Sequence, residues 1–213
     1  MIVDERMRAF INSFALPDSP FLTQLEKYSH ETNVPIIRKE MQTLIKFLLA
    51  ESQPANVLEV GTAIGFSAVL MAENLPETSR ITTIEKYEKR IPEAKANFDK
   101  AGVSDRVTLL EGDATEILKD LKGPFDFIFM DAAKGQYINF LPDILRLLPK
   151  GGILLSDNVM QEGDILESKF VVERRNRTIY KRMRDYLYEL THNPELQTVI
   201  LPVGDGVTVS VKK

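Results

Sequence analysis

The sequence contains no cysteine and no tryptophan, and it has only two histidines. Without cysteine there can be no disulfide, zinc–thiolate centre, iron–sulfur cluster or thiol nucleophile, and two histidines are too few for a histidine-rich metal site. The apolar runs, such as 127–130 and 151–155, are far shorter than the ~20 residues that a membrane-spanning helix needs. The N-terminus lacks a basic start followed by an apolar stretch, so we expect no secretion signal, no membrane partner and a cytoplasmic location.

The remaining composition is that of an ordinary globular protein. Of the 213 residues, 44% are hydrophobic and 27% are charged, and the net charge is −4. A chain of this length can bury a core large enough to fold without cross-links, and we find no linker, repeat or low-complexity segment. We therefore predict one domain that spans residues 1–213.

The pattern of apolar residues changes near residue 55. The first fifty residues show helical spacing and form a helical lead-in segment (1–50), in which one helix begins after an N-cap at Asp18 and another runs from about Lys39 to Ala50. Short apolar runs then alternate with helical stretches. We expect the strands at 56–60, 80–85, 106–111, 125–130 and 152–157. Strands that alternate with helices predict parallel βαβ units with right-handed crossovers.

The C-terminal end breaks this alternation. Two β-branched runs, 197–201 and 207–211, flank the sequence Gly204-Asp205-Gly206, which is typical of a hairpin. The predicted fold class is therefore α/β, with a mostly parallel sheet of seven strands, an antiparallel C-terminal hairpin and a helical N-terminal segment.

The ends of the first three predicted strands carry residues suited to a nucleoside, because ligands of α/β sheets bind at the carboxyl ends of strands. The first strand runs into Gly61 and Gly65, which permit a tight turn and a close approach of helix and ligand. The second strand ends at Glu85, whose carboxylate suits the two hydroxyls of a ribose. The third strand leads to Asp113 and Ala114, which could meet an adenine. A plain strand-to-helix turn and a solvated strand-end acid are the alternatives.

The glycine spacing distinguishes two kinds of nucleoside cofactor. A dinucleotide-binding turn has three glycines in the pattern G-x-G-x-x-G, whereas this turn has only Gly61 and Gly65. Glu59, just before the turn, would repel a pyrophosphate but would suit the amino group and the sulfonium of S-adenosylmethionine. The turn therefore favours S-adenosylmethionine over NAD, and a nicotinamide oxidoreductase stays open as an alternative.

A second set of polar residues follows the fourth and fifth predicted strands. Asp131 comes after the fourth strand, and Asp157 and Asn158 end the fifth, so the three side chains can converge at one sheet edge. Oxygen ligands without histidine or cysteine suit a hard cation such as Mg²⁺, and Mn²⁺ or Ca²⁺ would satisfy the same ligands. Two buried carboxylates favour a positive charge between them, and Lys134 could supply it in a plain salt bridge.

These motifs together resemble a known family. The pattern Glu59-x-Gly61-x-x-x-Gly65-x-Ser67, followed by Glu85, Asp131-Ala132-Ala133-Lys134 and Asp157-Asn158, is similar to that of the divalent-metal-dependent O-methyltransferases, which include catechol and caffeoyl-CoA O-methyltransferases. The resemblance covers nearly the whole chain. The run from Asp131 to Tyr137 most resembles a bacterial branch, some members of which methylate 5-hydroxyuridine at the wobble position of tRNA.

The resemblance implies a Rossmann-like S-adenosylmethionine-dependent methyltransferase fold, a homodimer, and a role for each matched residue. The implied metal ligands are Asp131, Asp157 and Asn158. The implied cofactor contacts are Glu85 at the ribose, Asp113 and Ala114 at the adenine, Glu59, Gly61, Ser67 and the backbone of Ile36 at the methionine end and the turn, and Asp131. Lys134 would be the general base or would stabilise the oxyanion, with Asp131 beside it in the catalytic site. Because the chain has no tryptophan for an aromatic gate over a catechol ring, a catechol substrate is less favoured.

A basic segment bears on the choice of substrate. Between Lys169 and Arg184 lie seven positive residues and one negative residue, although the whole chain is acidic. Several of these positive residues are three or four apart, so they share one helix face if the helix starts early. The candidate RNA contacts are Arg174, Arg175, Arg177 and Lys181. Such a stripe suits an RNA substrate, and a solvated helix face is the alternative.

The sequence therefore predicts an S-adenosylmethionine- and Mg²⁺-dependent O-methyltransferase that converts 5-hydroxyuridine to 5-methoxyuridine in a tRNA anticodon loop, with no DNA partner. Both 5-hydroxyuridine and a catechol present two adjacent oxygens that can chelate one cation. Methylation of a small catechol-like or caffeoyl-CoA-like phenol is the main alternative. A nicotinamide oxidoreductase and a non-catalytic nucleoside- or RNA-binding module are the other two.

Overall fold

The computed structural model describes residues 3–213. Met1 and Ile2, which belong to the N-terminus where we expect no secretion signal, lie outside the described residues. The described chain forms two compact units, the first from residues 6–114 and the second from 115–213 together with 3–5. The assignment of the whole chain to a single domain stays a prediction.

The first unit carries the helical lead-in and three strands. Its elements are α1 (Glu5–Asn12), α2 (Pro20–Thr32), α3 (Lys39–Ser52), β1 (Asn56–Val60), α4 (Phe66–Glu73), β2 (Arg80–Glu85), α5 (Ile91–Ala101) and β3 (Val107–Glu111). Strand β1 pairs in parallel with β2, and β2 pairs in parallel with β3. The registers pair Val60 with Ile84 and Glu85 with Glu111, so the carboxyl ends of the three strands lie at one edge.

The start of α2 differs from the prediction in one residue. The N-cap is Ser19, whose Oγ accepts a hydrogen bond of 3.2 Å from the backbone N–H of Leu22. Asp18 instead receives hydrogen bonds from the ammonium groups of Lys39 and Lys46. The acid before the helix therefore joins the start of α2 to α3, a long-range role that its local sequence did not reveal.

The second unit carries four strands and the helices that cover them. Its elements are α6 (Ala114–Asp120), β4 (Phe127–Met130), a 3₁₀ turn (Lys134–Gln136), α7 (Tyr137–Leu147), β5 (Ile153–Ser156), 3₁₀ turns at Gln161–Leu166 and Arg174–Asn176, α8 (Arg177–His192), β6 (Leu196–Leu201) and β7 (Val207–Lys212). All residues of β4 and β5 are buried, which explains their continuous apolar runs. Helix α8 buries Tyr180, Met183, Tyr186 and Leu190, a spacing of three and four residues that follows the helical period.

The strands form a sheet of seven in the order β3-β2-β1-β4-β5-β7-β6. Strands β4 and β5 pair in parallel, whereas β7 runs antiparallel to both β5 and β6. The predicted α/β fold, with its mostly parallel sheet and antiparallel C-terminal hairpin, is confirmed. Among residues 3–213, no helix is long and apolar enough to cross a membrane.

Candidate functional site

The turn after β1 needs both of its glycines. Gly61 has a φ of 106°, and its backbone N–H donates to the carbonyl of Ile84 at 3.0 Å, which joins the turn to β2. Gly65 has a φ of 85°, and a Cβ at this position would lie 2.5 Å from Cε1 of Phe98 on α5. Gly65 directly precedes α4, where we expected it to let the helix start close to the strand, and the structure adds that its lack of a side chain makes room for α5.

Glu85 is joined directly to the glycine turn. One of its carboxylate oxygens accepts a hydrogen bond of 2.7 Å from the backbone N–H of Ala63, a residue with a φ of 46°. The other oxygen accepts the backbone N–H groups of Lys86 and Tyr87 at 2.9 and 2.8 Å. The structure thus brings together two motifs that are more than twenty residues apart, and it holds the half-buried Glu85 in one orientation at the end of β2.

Asn97 contacts this turn from outside it, and it is a residue that we did not predict from the sequence. It lies on α5 with only 6% of its surface exposed, and its Nδ2 donates to the carbonyl of Ile64 at 2.8 Å. An amide that replaces an apolar residue on the inner face of an amphipathic helix is the only signal that could have indicated it.

The other predicted cofactor residues of the first unit occupy different environments. Glu59 is fully buried, and its carboxylate accepts a hydrogen bond from the hydroxyl of Thr83 on the neighbouring strand. Ser67, 8% exposed, lies in the first turn of α4. Ile36 is half-buried in the loop between α2 and α3. The contacts of these three residues with a methionine group stay predictions.

The end of β3 carries the predicted adenine contacts. Asp113 is exposed, and one of its carboxylate oxygens lies 3.4 Å from the ammonium group of Lys86. Ala114 is 8% exposed and begins α6. Because Glu85, the last residue of β2, pairs with Glu111, the last residue of β3, the predicted ribose acid and Asp113 lie at the ends of adjacent strands.

Asp131 and Asp157 follow β4 and β5 at the same level of the sheet. The last register pair of these strands is Met130 with Ser156, and each aspartate is the next residue. Burial raises the pKa of Asp131 to about 6, and the positive charge of Lys134 lowers it in part. Burial raises the pKa of Asp157 to about 7, and the charge of Asp131 raises it further. The two carboxylates therefore lie close enough to repel each other in a poorly hydrated place.

Asn158 completes the predicted ligand set. It has a φ of 57°, a conformation that asparagine tolerates, and its backbone N–H donates to Oδ1 of Asp157 at 2.6 Å. Within the described part of the chain, no three histidine, cysteine, aspartate or glutamate side chains form a group that could hold a metal ion. The predicted set has two carboxylates and one amide, and these oxygens fit a hard dication, which would also relieve the repulsion between the two acids.

Lys134 pairs with an acid that the sequence reasoning assigned only to the hairpin. Its Nζ lies 3.5 Å from Oδ2 of Asp205, a residue that is 4% exposed between β6 and β7. Oδ1 of Asp205 accepts the backbone N–H of Glu162 at 2.7 Å, which anchors the loop after β5. The hairpin therefore holds both Lys134 and that loop, a role that only its Gly-Asp-Gly sequence could have suggested.

The basic segment is partly engaged with its own backbone. Helix α8 begins at Arg177 after a 3₁₀ turn, so Arg174 does not extend its face as an early helix start would require. Arg177 donates to the carbonyls of Val172 and Phe170, and Lys181 lies 3.9 Å from Asp185. Arg174 is exposed, as is Arg175, which pairs with Glu173.

Comparison with known proteins decides the family. A family model described as O-methyltransferase matches residues 12–213. The chain belongs to this O-methyltransferase family. It is 31% identical over 193 residues to a protein named caffeoyl-CoA O-methyltransferase 1 from Eucalyptus globulus, and the match covers 84% of this chain and 76% of the relative. It is 34% identical over 161 residues to a catechol O-methyltransferase from Mycobacterium tuberculosis, which covers 74% of this chain and 73% of the relative.

Solved structures agree with this membership. A putative caffeoyl-CoA O-methyltransferase from Staphylococcus aureus has a TM-score of 0.90 and 31% identity over 99% of this chain and 100% of that one. A Podospora anserina methyltransferase, solved with S-adenosylhomocysteine (SAH) bound, has a TM-score of 0.88 and 29% identity over 98% of this chain and 94% of that one. This family member is therefore an S-adenosylmethionine-dependent O-methyltransferase, and neither the nicotinamide oxidoreductase nor the non-catalytic binding module is supported.

Proposed function

We propose that this O-methyltransferase transfers a methyl group to one hydroxyl of a substrate whose two adjacent oxygens chelate Mg²⁺. The observation that carries the proposal is the pair of carboxylates after β4 and β5, of which Asp157 is buried and Asp131 half-buried, because loss of contact with water raises the pKa of both. Two acids in such a place are costly without a cation. Asp131, Asp157 and the amide oxygen of Asn158 would hold it.

The protein residues divide the proposed chemistry among them. When bound, the cation would lower the pKa of a coordinated hydroxyl and orient it for attack on the methyl group. Nζ of Lys134 would accept the hydroxyl proton as a neutral amine or, as an ammonium group, would stabilise the oxyanion, and Oδ2 of Asp205 lies 3.5 Å from it. In the first unit, Glu85 would bind the ribose hydroxyls. Gly61, which has no side chain, would let the cofactor approach the backbone of the turn closely.

A tRNA wobble base is the substrate we propose. In 5-hydroxyuridine the O5 hydroxyl lies next to the O4 carbonyl, so the base offers the required oxygen pair. A base in an anticodon loop can leave its stack at modest cost and enter a pocket. The exposed arginines Arg174 and Arg175 supply positive charge on an acidic protein, as binding to phosphates requires.

A small phenol with two adjacent hydroxyls is the second candidate. The observation in its favour is that the relatives given above are named for catechol and caffeoyl-CoA. Such a phenol would chelate the cation held by the same three residues, so the reaction would be the same and only the substrate would differ.

Charge reversal in the basic segment tests the tRNA proposal. In the variant Arg174→Glu with Arg175→Glu, we expect methylation of 5-hydroxyuridine tRNA to fall by at least about tenfold, since two phosphate contacts become repulsive. Arg177 is left unchanged because it donates to the backbone of its own loop. The rate is measured as transfer of labelled methyl from S-adenosylmethionine to tRNA, and to a catechol in parallel.

The matched control reverses Lys122 and Lys150, which are exposed lysines of the same unit outside the segment. Equal losses in both double variants would show a general charge effect and would contradict tRNA binding at this segment. Full activity in the presence of a chelator would contradict the proposed cation for either substrate.

A further inference from the structure

The strand pairing of β4 and β5 stops one residue before the two aspartates. The last paired residues are Met130 and Ser156, so the ladder does not itself fix the backbone of Asp131 and Asp157. The backbone N–H of Asp157 still donates to the carbonyl of Met130 at 3.0 Å. Any further restraint on the spacing of the two acids must come from another part of the chain.

The phenol of Tyr137, the first residue of α7, lies at this junction. Its hydroxyl oxygen is 3.0 Å from the carbonyl oxygen of Met130 and 3.2 Å from that of Asp157, so its single hydrogen is shared between them. The backbone of Ala132 also hydrogen-bonds to this oxygen. One phenol oxygen therefore contacts the residues on both sides of Asp131 and the backbone of Asp157.

The phenol of Tyr137 is shielded from water. Tyr137 is fully buried, and burial together with the charges of Asp131 and Asp157 raises its pKa well above the usual value of 10.

A second tyrosine in the same cluster provides a comparison. Tyr186 on α8 is also fully buried, and its ring makes an edge-to-face contact with that of Tyr137 at a centroid distance of 5.4 Å. Its hydroxyl, however, forms a hydrogen bond of 2.6 Å with Oγ of Ser156. The two tyrosines thus share burial and packing, but only Tyr137 has a hydrogen bond to the backbone at the acids.

We infer that Tyr137 is a positioning residue, which sets the separation of Asp131 and Asp157 for a divalent cation through its hydrogen bonds to Met130 and Asp157. The inference rests on the proposed function, because it concerns the same cation. Removal of the hydroxyl leaves the ring in place but frees the two chain segments to move relative to each other. Cation affinity then falls because the ligands must be reordered on binding.

Calorimetric titration of the full-length protein with MgCl₂, at saturating SAH, tests the inference. We expect Tyr137→Phe to raise the Mg²⁺ dissociation constant about tenfold, and Tyr186→Phe to leave it within about twofold of wild type. Both variants lose a buried hydrogen bond, so thermal unfolding of each measures the structural cost separately. A partly unfolded sample would lower the binding stoichiometry rather than the affinity.

A donor at the same place should restore binding. With 4-aminophenylalanine at position 137, we expect the dissociation constant to return to within about threefold of wild type, because the amine donates to the same carbonyls. If Tyr137→Phe does not fold, 4-methylphenylalanine, which fills the space of the oxygen, takes its place. Unchanged affinity in the variant that lacks a donor, or equal weakening in the Tyr186 variant, would overturn the inference. A wild-type protein that binds no Mg²⁺ would instead contradict the proposed function itself.

Discussion

Among single residues, Asp157 is expected to lower the stability of the metal-free protein and to be needed for cation binding. Its pKa in the folded protein is about 7, whereas the ordinary value is 3.8. Between these pH values the folded state holds a proton that the unfolded state has lost, so the metal-free protein loses stability as pH rises from about 4 to about 7. Asp157→Asn removes this penalty, and we expect it to raise the free energy of unfolding at neutral pH by at least about 1 kcal/mol, the equivalent of one pKa unit.

The same variant should have almost no methyltransferase activity, because an amide replaces a charged ligand. Urea unfolding without metal, repeated from acid to neutral pH, measures the first effect, and methyl transfer with Mg²⁺ measures the second. Asp120→Asn, at the exposed end of α6, is the control and should change neither. A near-normal rate for Asp157→Asn would show that this aspartate is not a ligand.

At the scale of elements, the packing of α5 against the glycine turn is the feature most open to test. Gly65→Ala places a Cβ 2.5 Å from Phe98 at a φ of 85°. Overpacking and strain of this kind cost about 1–3 kcal/mol, so we expect lower stability and weaker binding of SAH. Urea unfolding and calorimetric titration with SAH measure the two effects.

Gly102→Ala at the end of α5 is the matched control. Its φ is 68°, but a Cβ there meets nothing within 4 Å, so it carries the strain without the clash. A second substitution, Phe98→Leu, should recover part of the loss in Gly65→Ala because it removes the atoms that clash. Equal losses for the two glycine variants would mean that backbone strain alone, rather than the packing of α5, accounts for the effect.

At the scale of the whole molecule, the predicted homodimer is the property that remains to be measured. Helix α1 has no buried residue, and Phe10, Phe14 and Leu16 are 65%, 72% and 79% exposed. Apolar groups at such exposure are typical of surfaces that another molecule covers. Light scattering of the purified protein should give about twice the chain mass of 24.2 kDa. A particle with the mass of one chain would contradict the prediction.

Local pattern was enough to predict the elements and the residues at their ends. Alternation of short apolar runs with helical stretches predicted the sheet, because a buried parallel strand needs apolar residues on both faces. Glu85, Asp131 and Asp157 could be identified since each directly follows or ends a strand. The predicted N-cap of α2, Asp18, was wrong. Ser19 and Asp18 are both good caps, and only the hydrogen bonds of Asp18 to the distant Lys39 and Lys46 decide between them.

The fold class, the glycine turn and the acids at the strand ends could all be predicted from the sequence, since these depend on residues close together along the chain. The distant groups that hold these residues in place could be identified only once the chain was seen folded. Asn97 reaches Ile64, Asp205 reaches Lys134, and Tyr137 joins the ends of two strands. Such contacts depend on how helices, turns and loops pack in three dimensions, and the spacing of residues along the chain does not record that packing.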